Sequence, residues 1–230
     1  MDHRVFVFMA ALLLSSSLLA LPDLSGVWML NLPDSEEELL LTAEGLRLQQ
    51  DYDLLSDDPS LYCTPASASR IWANPNSAIR IEQHPDHILI SYELFDLRRE
   101  IPIGDASVMS EKPSTKNLEG TYFQEMGSSF ARYADELLVI ESRKHAPGYI
   151  RTSRGVPQSV ATVALEEIGI EGDTLHIKHT YIDDTLFEKP FVLDYTFHRV
   201  DDIEIAVYAC TDADYDWFNE LNAKKEGGAQ

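Results

Sequence analysis

Two histidines on one apolar stretch are the first side chains whose type and spacing could carry chemistry. His176 and His179 lie three positions apart, and on a β-strand this spacing points them to opposite faces, which excludes a metal ion shared by the two. His179 shares its face with Ile177 and Tyr181, and we expect this apolar face to point inward. We therefore predict that His179 and Tyr181 line a ligand pocket; a hydrogen-bonded core histidine is the alternative.

Opposite charges also lie close together on an apolar strand. Glu93 shares a predicted strand face with Ser91, and Arg98 and Arg99 follow shortly afterwards. A charge beside a hydrophobic sheet needs a partner, because burying it alone is costly. Glu93 and Arg99 are therefore predicted either to take part in buried ion pairing or to anchor a polar ligand.

The densest basic segment of the chain is the loop 143–154. Its cations are Arg143, Lys144, Arg151 and Arg154. At the rim of a β-barrel they would meet the carboxylate or phosphate of a ligand whose apolar body enters the interior. We predict Arg143, Arg151 and Arg154 as ligand-binding residues; a solvated loop paired with the protein's own acidic surface is the alternative.

Motifs for metal binding and nucleophilic catalysis are missing from the sequence. It contains no Gly-x-Ser-x-Gly and no His-Glu-x-x-His pattern. His84 and His87 share one turn but have no third ligand nearby in sequence, and the acidic run 212–216 lacks the glycine and the bidentate Glu of a calcium loop. We therefore predict no metal and no cofactor.

The elements that must position these side chains are mostly strands. Alternating apolar and polar residues predict antiparallel strands over 79–83, 88–95, 99–103, 122–132, 137–143, 162–170, 174–182, 192–200 and 203–210, after an entry strand near 23–28. One short helix is predicted over 42–52, with Thr42 as its N-cap. The predicted fold class is mainly β: a single antiparallel meander that forms an up-and-down barrel or a strongly curled sheet with one short helix.

The first twenty residues have the pattern of an export signal. Arg4 precedes an apolar run over 5–19, Ala20 suits a signal peptidase, and Pro22 stops any helix. We expect residues 1–20 to be a cleaved signal peptide; an uncleaved membrane anchor is the alternative. The mature chain would then hold one β-barrel-like domain over 21–218 and a flexible C-terminal tail over 219–230, and it would be periplasmic or secreted.

Export changes how the two cysteines are interpreted. Cys63 and Cys210 are an even number in an oxidising compartment, and no Cys-x-x-Cys or Cys/His zinc spacing competes for them. We predict that they form one disulfide; two unrelated buried thiols are the alternative.

The charge balance restricts the partners. The 230 residues include 39 acidic and 18 basic ones, for a net charge of −21. A surface this negative repels phosphate backbones and anionic lipid, so neither nucleic acid nor, after signal cleavage, a membrane is predicted as a partner. Cations and neutral amphiphiles remain open, and solubility alone is the alternative explanation.

A set of short motifs carries a resemblance to a known family. They are Leu41-Thr-Ala-Glu-Gly45, Tyr52-Asp53, Asp57-Asp-Pro-Ser60, Cys63-Thr-Pro65, Arg70, Asn74-Pro75 and the stretches 79–83 and 88–93, continuing through 132–139 and 172–176 to Cys210. This pattern resembles a family of uncharacterised secreted bacterial proteins with a small helix, a Cys-x-Pro turn and a β-rich body. The resemblance covers most of the mature chain, implies no activity, and supports the pairing of the two cysteines.

A tripeptide carries a second resemblance. Gly26-Val-Trp28 is similar to the Gly-x-Trp with which lipocalin-like barrels begin their first strand. That resemblance implies a cation packed on Trp28, and Arg199 is the candidate. The helix and irregular segment that follow the first strand depart from the lipocalin pattern, and an ordinary core tryptophan is the alternative.

Three functions compete at this point. We predict an exported small-molecule-binding protein that holds a hydrophobic or amphipathic ligand in its barrel. A hydrolase or isomerase at the barrel mouth is the first alternative, and it requires His179 to meet a carboxylate such as Glu141 or Asp194 in one cavity. A protein-interaction module with a filled barrel is the second. The sequence does not define the oligomeric state.

Overall fold

The computed structural model describes residues 21–31, 38–201, 203–208 and 210–211. The predicted signal peptide over 1–20 and the predicted tail over 219–230 lie outside these residues. None of the helices in the described part of the chain has the length and apolar character needed to cross a bilayer.

Twelve strands are defined within the described residues. They are β1 (Gly26–Leu30), β2 (Ile79–Gln83), β3 (His87–Tyr92), β4 (Arg98–Pro102), β5 (Thr115–Lys116), β6 (Ser128–Ala134), β7 (Leu137–Arg143), β8 (Gly148–Arg151), β9 (Val156–Gln158), β10 (Val163–Glu171), β11 (Thr174–Ile182) and β12 (Phe191–Val200). Ten of them form one antiparallel sheet in the order β5-β4-β3-β2-β1-β12-β11-β10-β7-β6, and β8 and β9 form a separate hairpin. The prediction of a mainly β fold built on one large antiparallel sheet is confirmed.

One isolated bridge joins residues from opposite ends of the strand order. Ile103, just after β4, forms an isolated parallel bridge with Ala131 on β6, and the backbone N–H of Gly104 donates to the carbonyl of Ala131 at 2.8 Å. This bridge does not extend into a ladder, so the sheet is not closed into a barrel.

The alternating pattern decides which side chains point inward. On β11 the buried positions are Leu175, Ile177, His179 and Tyr181, and the intervening residues face outward. Every second side chain of a strand lies on the same face, so the inward orientation of His179 and Tyr181 follows directly from the sequence. That part of the prediction is confirmed.

Three α-helices are defined within the described residues, where the sequence predicts one. α1 (Ala43–Asp51) is the predicted helix, and the Thr42 hydroxyl accepts from the backbone N–H of Gly45 at 3.1 Å, which confirms the N-cap. α2 (Leu54–Asp57) and α3 (Ala68–Trp72) correct the prediction of a single helix. Both are too short to show a helical period, so only their polar N-caps could have indicated them.

Helix α3 supplies part of the core. Ile71 and Trp72 are buried against the inner face of the sheet. Its N-cap Ser67 accepts from the backbone N–H of Arg70 at 3.1 Å and donates to the carbonyl of Ile150 on β8 at 2.8 Å. The Tyr181 hydroxyl of β11 donates to Ser69 at 2.8 Å. These bonds fix α3 relative to β8 and β11, and they thereby position Arg70 on the helix.

Four predicted element boundaries are corrected. The strand over 88–95 ends at Tyr92, because a 3₁₀ turn over Leu94–Asp96 follows it. The strand over 122–132 begins only at Ser128, after another 3₁₀ turn and Gly127 at φ 67°. The basic loop contains β8. No strand forms over 203–208 and 210: this segment leaves the sheet to bring Cys210 to Cys63, and the backbone N–H of Tyr208 donates to Asp96 at 2.7 Å.

Cys63 and Cys210 form the predicted disulfide, with a sequence separation of 147 residues. The bond ties the segment after β12 to the turn that follows α2. The prediction from cysteine count is thereby confirmed.

Candidate functional site

The interior of the sheet contains a buried ion pair. Nη1 of Arg99 on β4 lies 2.6 Å from Oε1 of Glu166 on β10, and both side chains are almost fully buried. The contact has an ion-pair distance without the alignment of a hydrogen bond. Nη2 of Arg99 donates to the hydroxyls of Ser129 and Ser142 at 3.0 and 2.8 Å. Arg99 therefore crosses the interior and joins four strands.

Glu166 is held on both of its oxygens. Oε1 faces Arg99, and Oε2 accepts from the indole N–H of Trp72 at 2.9 Å. Burial alone would raise the pKa of Glu166, but the positive charge of Arg99 holds that pKa below its ordinary value. The carboxylate is ionised, and each of its oxygens contacts a neighbour, Arg99 of β4 or Trp72 of α3.

His179 lies beside this pair without a hydrogen bond. It stands opposite Glu166 in the β10–β11 register, yet neither of its ring nitrogens has a hydrogen-bond partner within the described chain. Its ring packs edge-to-face against Tyr195, with centroids 5.7 Å apart. Burial lowers the pKa of His179 to about 4, so the imidazole is neutral at pH 7. It is a core residue, and the hydrogen bonds expected of a core histidine are missing.

Glu93 and Arg99, predicted to lie close together beside an apolar strand, have different partners in the structure. Arg99 pairs with Glu166, whereas Glu93 precedes the Leu94–Asp96 turn and accepts from the backbone N–H of Ala78 at 2.8 Å. β3 ends at Tyr92, and the turn over Leu94–Asp96 separates Glu93 from Arg99 on β4. A buried ion pair exists, but its carboxylate comes from a distant strand.

The predicted basic loop is largely occupied by contacts within the protein. Arg143 pairs with Glu141 at 2.6 Å, and Lys144 pairs with Glu111 at 2.8 Å. Arg151 donates to the Tyr195 hydroxyl at 2.6 Å. The carbonyl of Arg154 accepts from Gln49 at 2.8 Å. Arg143, Arg151 and Arg154 thus each contact a different residue of the protein.

Aromatic and aliphatic side chains fill the interior around Arg99 and His179. The largest fully buried residues include Trp28, Trp72, Tyr92, Tyr181 and Phe197. The two carboxylates named for the enzyme alternative do not bond to His179: Glu141 is bonded to Arg143, and Asp194 is exposed on the outer face. No group of three His, Cys, Asp or Glu side chains in the described ranges is placed to hold a metal ion.

A groove of about 450 Å³ lies on the outer face of β3, β4 and β5. Its cations are Arg98, Lys112 and Lys116, and none of them has a carboxylate within 4 Å among the residues that the structure describes. The Lys112 and Lys116 ammonium groups each lie 5.9 Å from the centre of the Tyr122 ring. We call this the cationic groove.

Strand register explains why the cations meet. Arg80 on β2 stands opposite Ser91 on β3, Ser91 stands opposite Arg98 on β4, and Arg98 stands opposite Lys116 on β5. This row crosses four strands, and neighbouring strands are about 4.8 Å apart. Like charges directly opposite each other destabilise a sheet, so Arg98 and Lys116 oppose folding unless an anion lies between them.

The groove is also lined by two carboxylates, which partly offset its positive charge. Asp86 is engaged by Nδ1 of His87 at 2.8 Å. Glu100 lies two positions from Arg98 on the same strand face and forms no ion pair in the described part of the chain. Three cations against two carboxylates leave a positive site in a protein whose net charge is −21.

Sequence reasoning missed this groove because its members are far apart in the chain. Arg98, Lys112, Lys116 and Tyr122 come from two strands and the loop around them, and only the pairing of β4 with β5 brings them together. A two-residue strand such as β5 gives no alternation signal. The only local sign was the Lys-x-x-x-Lys spacing of Lys112 and Lys116 in an acidic chain.

The cation predicted over Trp28 is in place. The guanidinium carbon of Arg199 lies 4.3 Å from the centre of the Trp28 ring, and Nη1 of Arg199 donates to the carbonyl of Ser25 at 2.5 Å. Trp28 and Arg199 are directly opposite on β1 and β12, so this packing also follows from ordinary pairing of neighbouring strands.

Comparison with known proteins adds no relative, since no family model and no curated protein matches the chain.

Proposed function

We propose that this protein is an exported binding module whose ligand is a small amphipathic anion held in the cationic groove. The observation that carries the proposal is the facing pair Arg98 and Lys116, which lacks a carboxylate partner among the described residues. Tyr122, Leu89 and Pro113 supply apolar surface for the rest of the ligand. The disulfide supports export to a periplasmic or secreted location, because such bonds persist in oxidising compartments.

The proposal moves the ligand from the interior to the outside of the sheet. We propose a strongly curled, barrel-like scaffold, and its support is the bridge between Ile103 and Ala131 and the reach of Arg99 across the interior. Bulky side chains occupy the space where an internal ligand would lie. We also propose that the chain is related to the secreted bacterial family and that its first strand is lipocalin-like. The packing of Arg199 on Trp28 supports the second of these proposals.

The test uses an aromatic sulfonate and its uncharged analogue. We expect 8-anilinonaphthalene-1-sulfonate to bind the folded protein and N-phenyl-1-naphthylamine to bind more weakly, because only the sulfonate meets the cations. Replacing Lys112 and Lys116 together by Gln should weaken sulfonate binding by at least about ten-fold for each charge-assisted bond removed, as such bonds are worth ~1.5–3 kcal/mol. Fluorescence titration measures both affinities.

A matched control uses an exposed lysine of the same sheet that lies outside the groove. Lys178 on β11 pairs with Glu167 at 3.1 Å and lies outside the groove, so Lys178→Gln should leave sulfonate binding unchanged. Lys116→Gln should also raise the free energy of unfolding slightly, by roughly 0.2–1 kcal/mol, because it removes a like-charge pair. An equal decrease in the affinities of the charged and uncharged probes in the groove variant would contradict the proposal.

A protein-interaction module is the second candidate. Besides the filled interior, the observation that favours it is a group of exposed apolar side chains between α1 and the disulfide. Leu54, Leu55 and Tyr62 are 48%, 49% and 62% exposed. If neither probe binds, the anion-binding proposal fails and the interaction function becomes the better one.

A further inference from the structure

A second pocket lies under the segment that the disulfide holds. It has a volume of about 230 Å³ and is lined by Asp58, Ser60, Ala66, Arg70, Ile71, Asn74, Leu94, Phe95 and Tyr208. This volume is below the ~300–1,000 Å³ of most ligand sites, so its ligand must be small. We call it the disulfide pocket.

The disulfide pocket contains both signs of charge, and they are not paired. Asp58 is 8% exposed, and its Oδ1 accepts from the backbone N–H of Ser60 at 2.9 Å, while Oδ2 accepts from no described residue. The Arg70 guanidinium forms no ion pair and no hydrogen bond within the described chain. A buried carboxylate without a counter-charge is costly, so the pocket is electrostatically incomplete as it stands.

The wall of the pocket is held in an unusual conformation. Phe95 and Asp96 have φ angles of 57° and 52°, a region that bulky residues rarely adopt. The Phe95 ring meets Tyr208 edge-to-face at 5.9 Å, and Asp96 accepts from the backbone N–H of Tyr208 at 2.7 Å. Backbone strain of this kind tends to lie at binding sites, where the surrounding structure over-determines it.

We propose that the disulfide pocket binds a free α-amino acid with an apolar side chain. A zwitterion supplies the two missing charges at once: its ammonium group pairs with Asp58 and its carboxylate with Arg70. Ile71, Leu94 and Phe95 line the pocket with apolar surface for the side chain. A guanidinium forms two parallel bonds with a carboxylate, which gives orientation as well as affinity.

The test removes one ligand charge at a time. Calorimetric titration with L-leucine should show binding, whereas leucinamide lacks the carboxylate and N-acetyl-leucine lacks the ammonium group, and each should bind at least about ten-fold more weakly. N-acetyl-leucine binding as tightly as leucine would overturn the proposal. Absence of binding by both leucine and phenylalanine would overturn it as well.

Two variants assign the charges to residues. Asp58→Asn removes the charge and keeps a side-chain oxygen that can accept from the backbone N–H of Ser60, so the fold should be retained. It should weaken leucine binding at least about ten-fold and leave N-acetyl-leucine unaffected. Arg70→Gln should weaken leucine binding similarly and leave leucinamide unaffected. A decrease in affinity that is the same for all three ligands would mean that the variants alter pocket shape alone, and the proposal would fail.

The proposal is independent of the cationic groove. The Lys112→Gln/Lys116→Gln variant should bind leucine as the unaltered protein does, because neither lysine lines the disulfide pocket. Conversely, Arg70→Gln should leave sulfonate binding unchanged. Either proposal can therefore fail while the other holds.

Discussion

His179 shows how one buried side chain depends on the hydrogen bonds of its neighbours. Glu166 is the nearest carboxylate in register, but Arg99 and Trp72 already occupy its two oxygens. A protonated imidazole would add a second cation to a single carboxylate and would be desolvated as well. The neutral ring is the better solution, even though it leaves both nitrogens without a partner among the described residues.

This arrangement predicts that acid destabilises the protein through His179. Burial lowers the pKa of His179 from 6.5 to about 4, so between these values the unfolded chain takes up a proton that the folded protein does not. Stability should therefore fall as pH drops from about 6.5 to about 4, by roughly 3 kcal/mol from this residue. Urea unfolding of the His179→Gln variant and of the unaltered protein at pH 7 and pH 5 measures the difference.

The control is a histidine on the same strand. His176 is exposed on the opposite face of β11, and His176→Gln should keep the pH dependence of the unaltered protein. The His179→Gln variant is expected to be less stable at pH 7, since it buries an amide, but its stability should fall less between pH 7 and pH 5. An identical pH slope in both variants would show that His179 is not the titrating group.

At the scale of elements, α1 is held by close packing against the loop between β11 and β12. The Thr42 hydroxyl donates to the carbonyl of Thr185 at 2.7 Å, and the backbone N–H of Thr42 donates to that of Leu186 at 3.0 Å. Gly45 is buried in the first turns of the helix, directly against the Leu186 carbonyl. The helix can approach this loop only because position 45 has no side chain.

We therefore predict that Gly45→Ala destabilises the protein. In an exposed helix this change is stabilising by about 1 kcal/mol, because glycine is a poor helix former. Here the new Cβ would overlap the Leu186 carbonyl, and overpacking of this kind typically costs ~1–3 kcal/mol. Thermal unfolding measures the change. Gln50→Ala, at an exposed position of α1, should leave the midpoint nearly unchanged; a rise for Gly45→Ala would contradict the close packing.

The same elements show which parts of the fold can be predicted from the sequence. Long alternating strands such as β10, β11 and β12 were predicted almost to the residue, because one face of each is buried. The turn that ends β3 and the helix α3 were not predicted, since tertiary contacts fix them: Glu93 bonds to Ala78, and Trp72 bonds to Glu166. Both candidate sites depend on such contacts, so neither could be derived from the sequence.

For the whole molecule, the disulfide links the first third of the chain to the last residues that the structure describes. It joins Cys63, at φ 54° after a 3₁₀ turn, to Cys210, beyond the last strand. The segment 203–208 contacts the outer face of the sheet through Arg80, which donates to the carbonyl of Ile203, and the disulfide pocket through Tyr208. This segment has no strand pairing of its own, so the covalent bond is the strongest restraint on it.

The last prediction concerns this bond together with the proposed export. The mature protein recovered after export should begin at Leu21 and contain no thiol that alkylates without reduction. Replacing Cys63 and Cys210 together by Ala should lower the free energy of unfolding by up to about 5 kcal/mol, because the unfolded chain is no longer closed into a loop of 147 residues. The variant should also bind leucine more weakly, as Tyr208 is no longer held at the pocket, while sulfonate binding in the groove persists. Mass spectrometry, urea unfolding and the two titrations measure these effects. A variant with unchanged stability and unchanged leucine affinity would show that the disulfide restrains neither the unfolded chain nor the pocket.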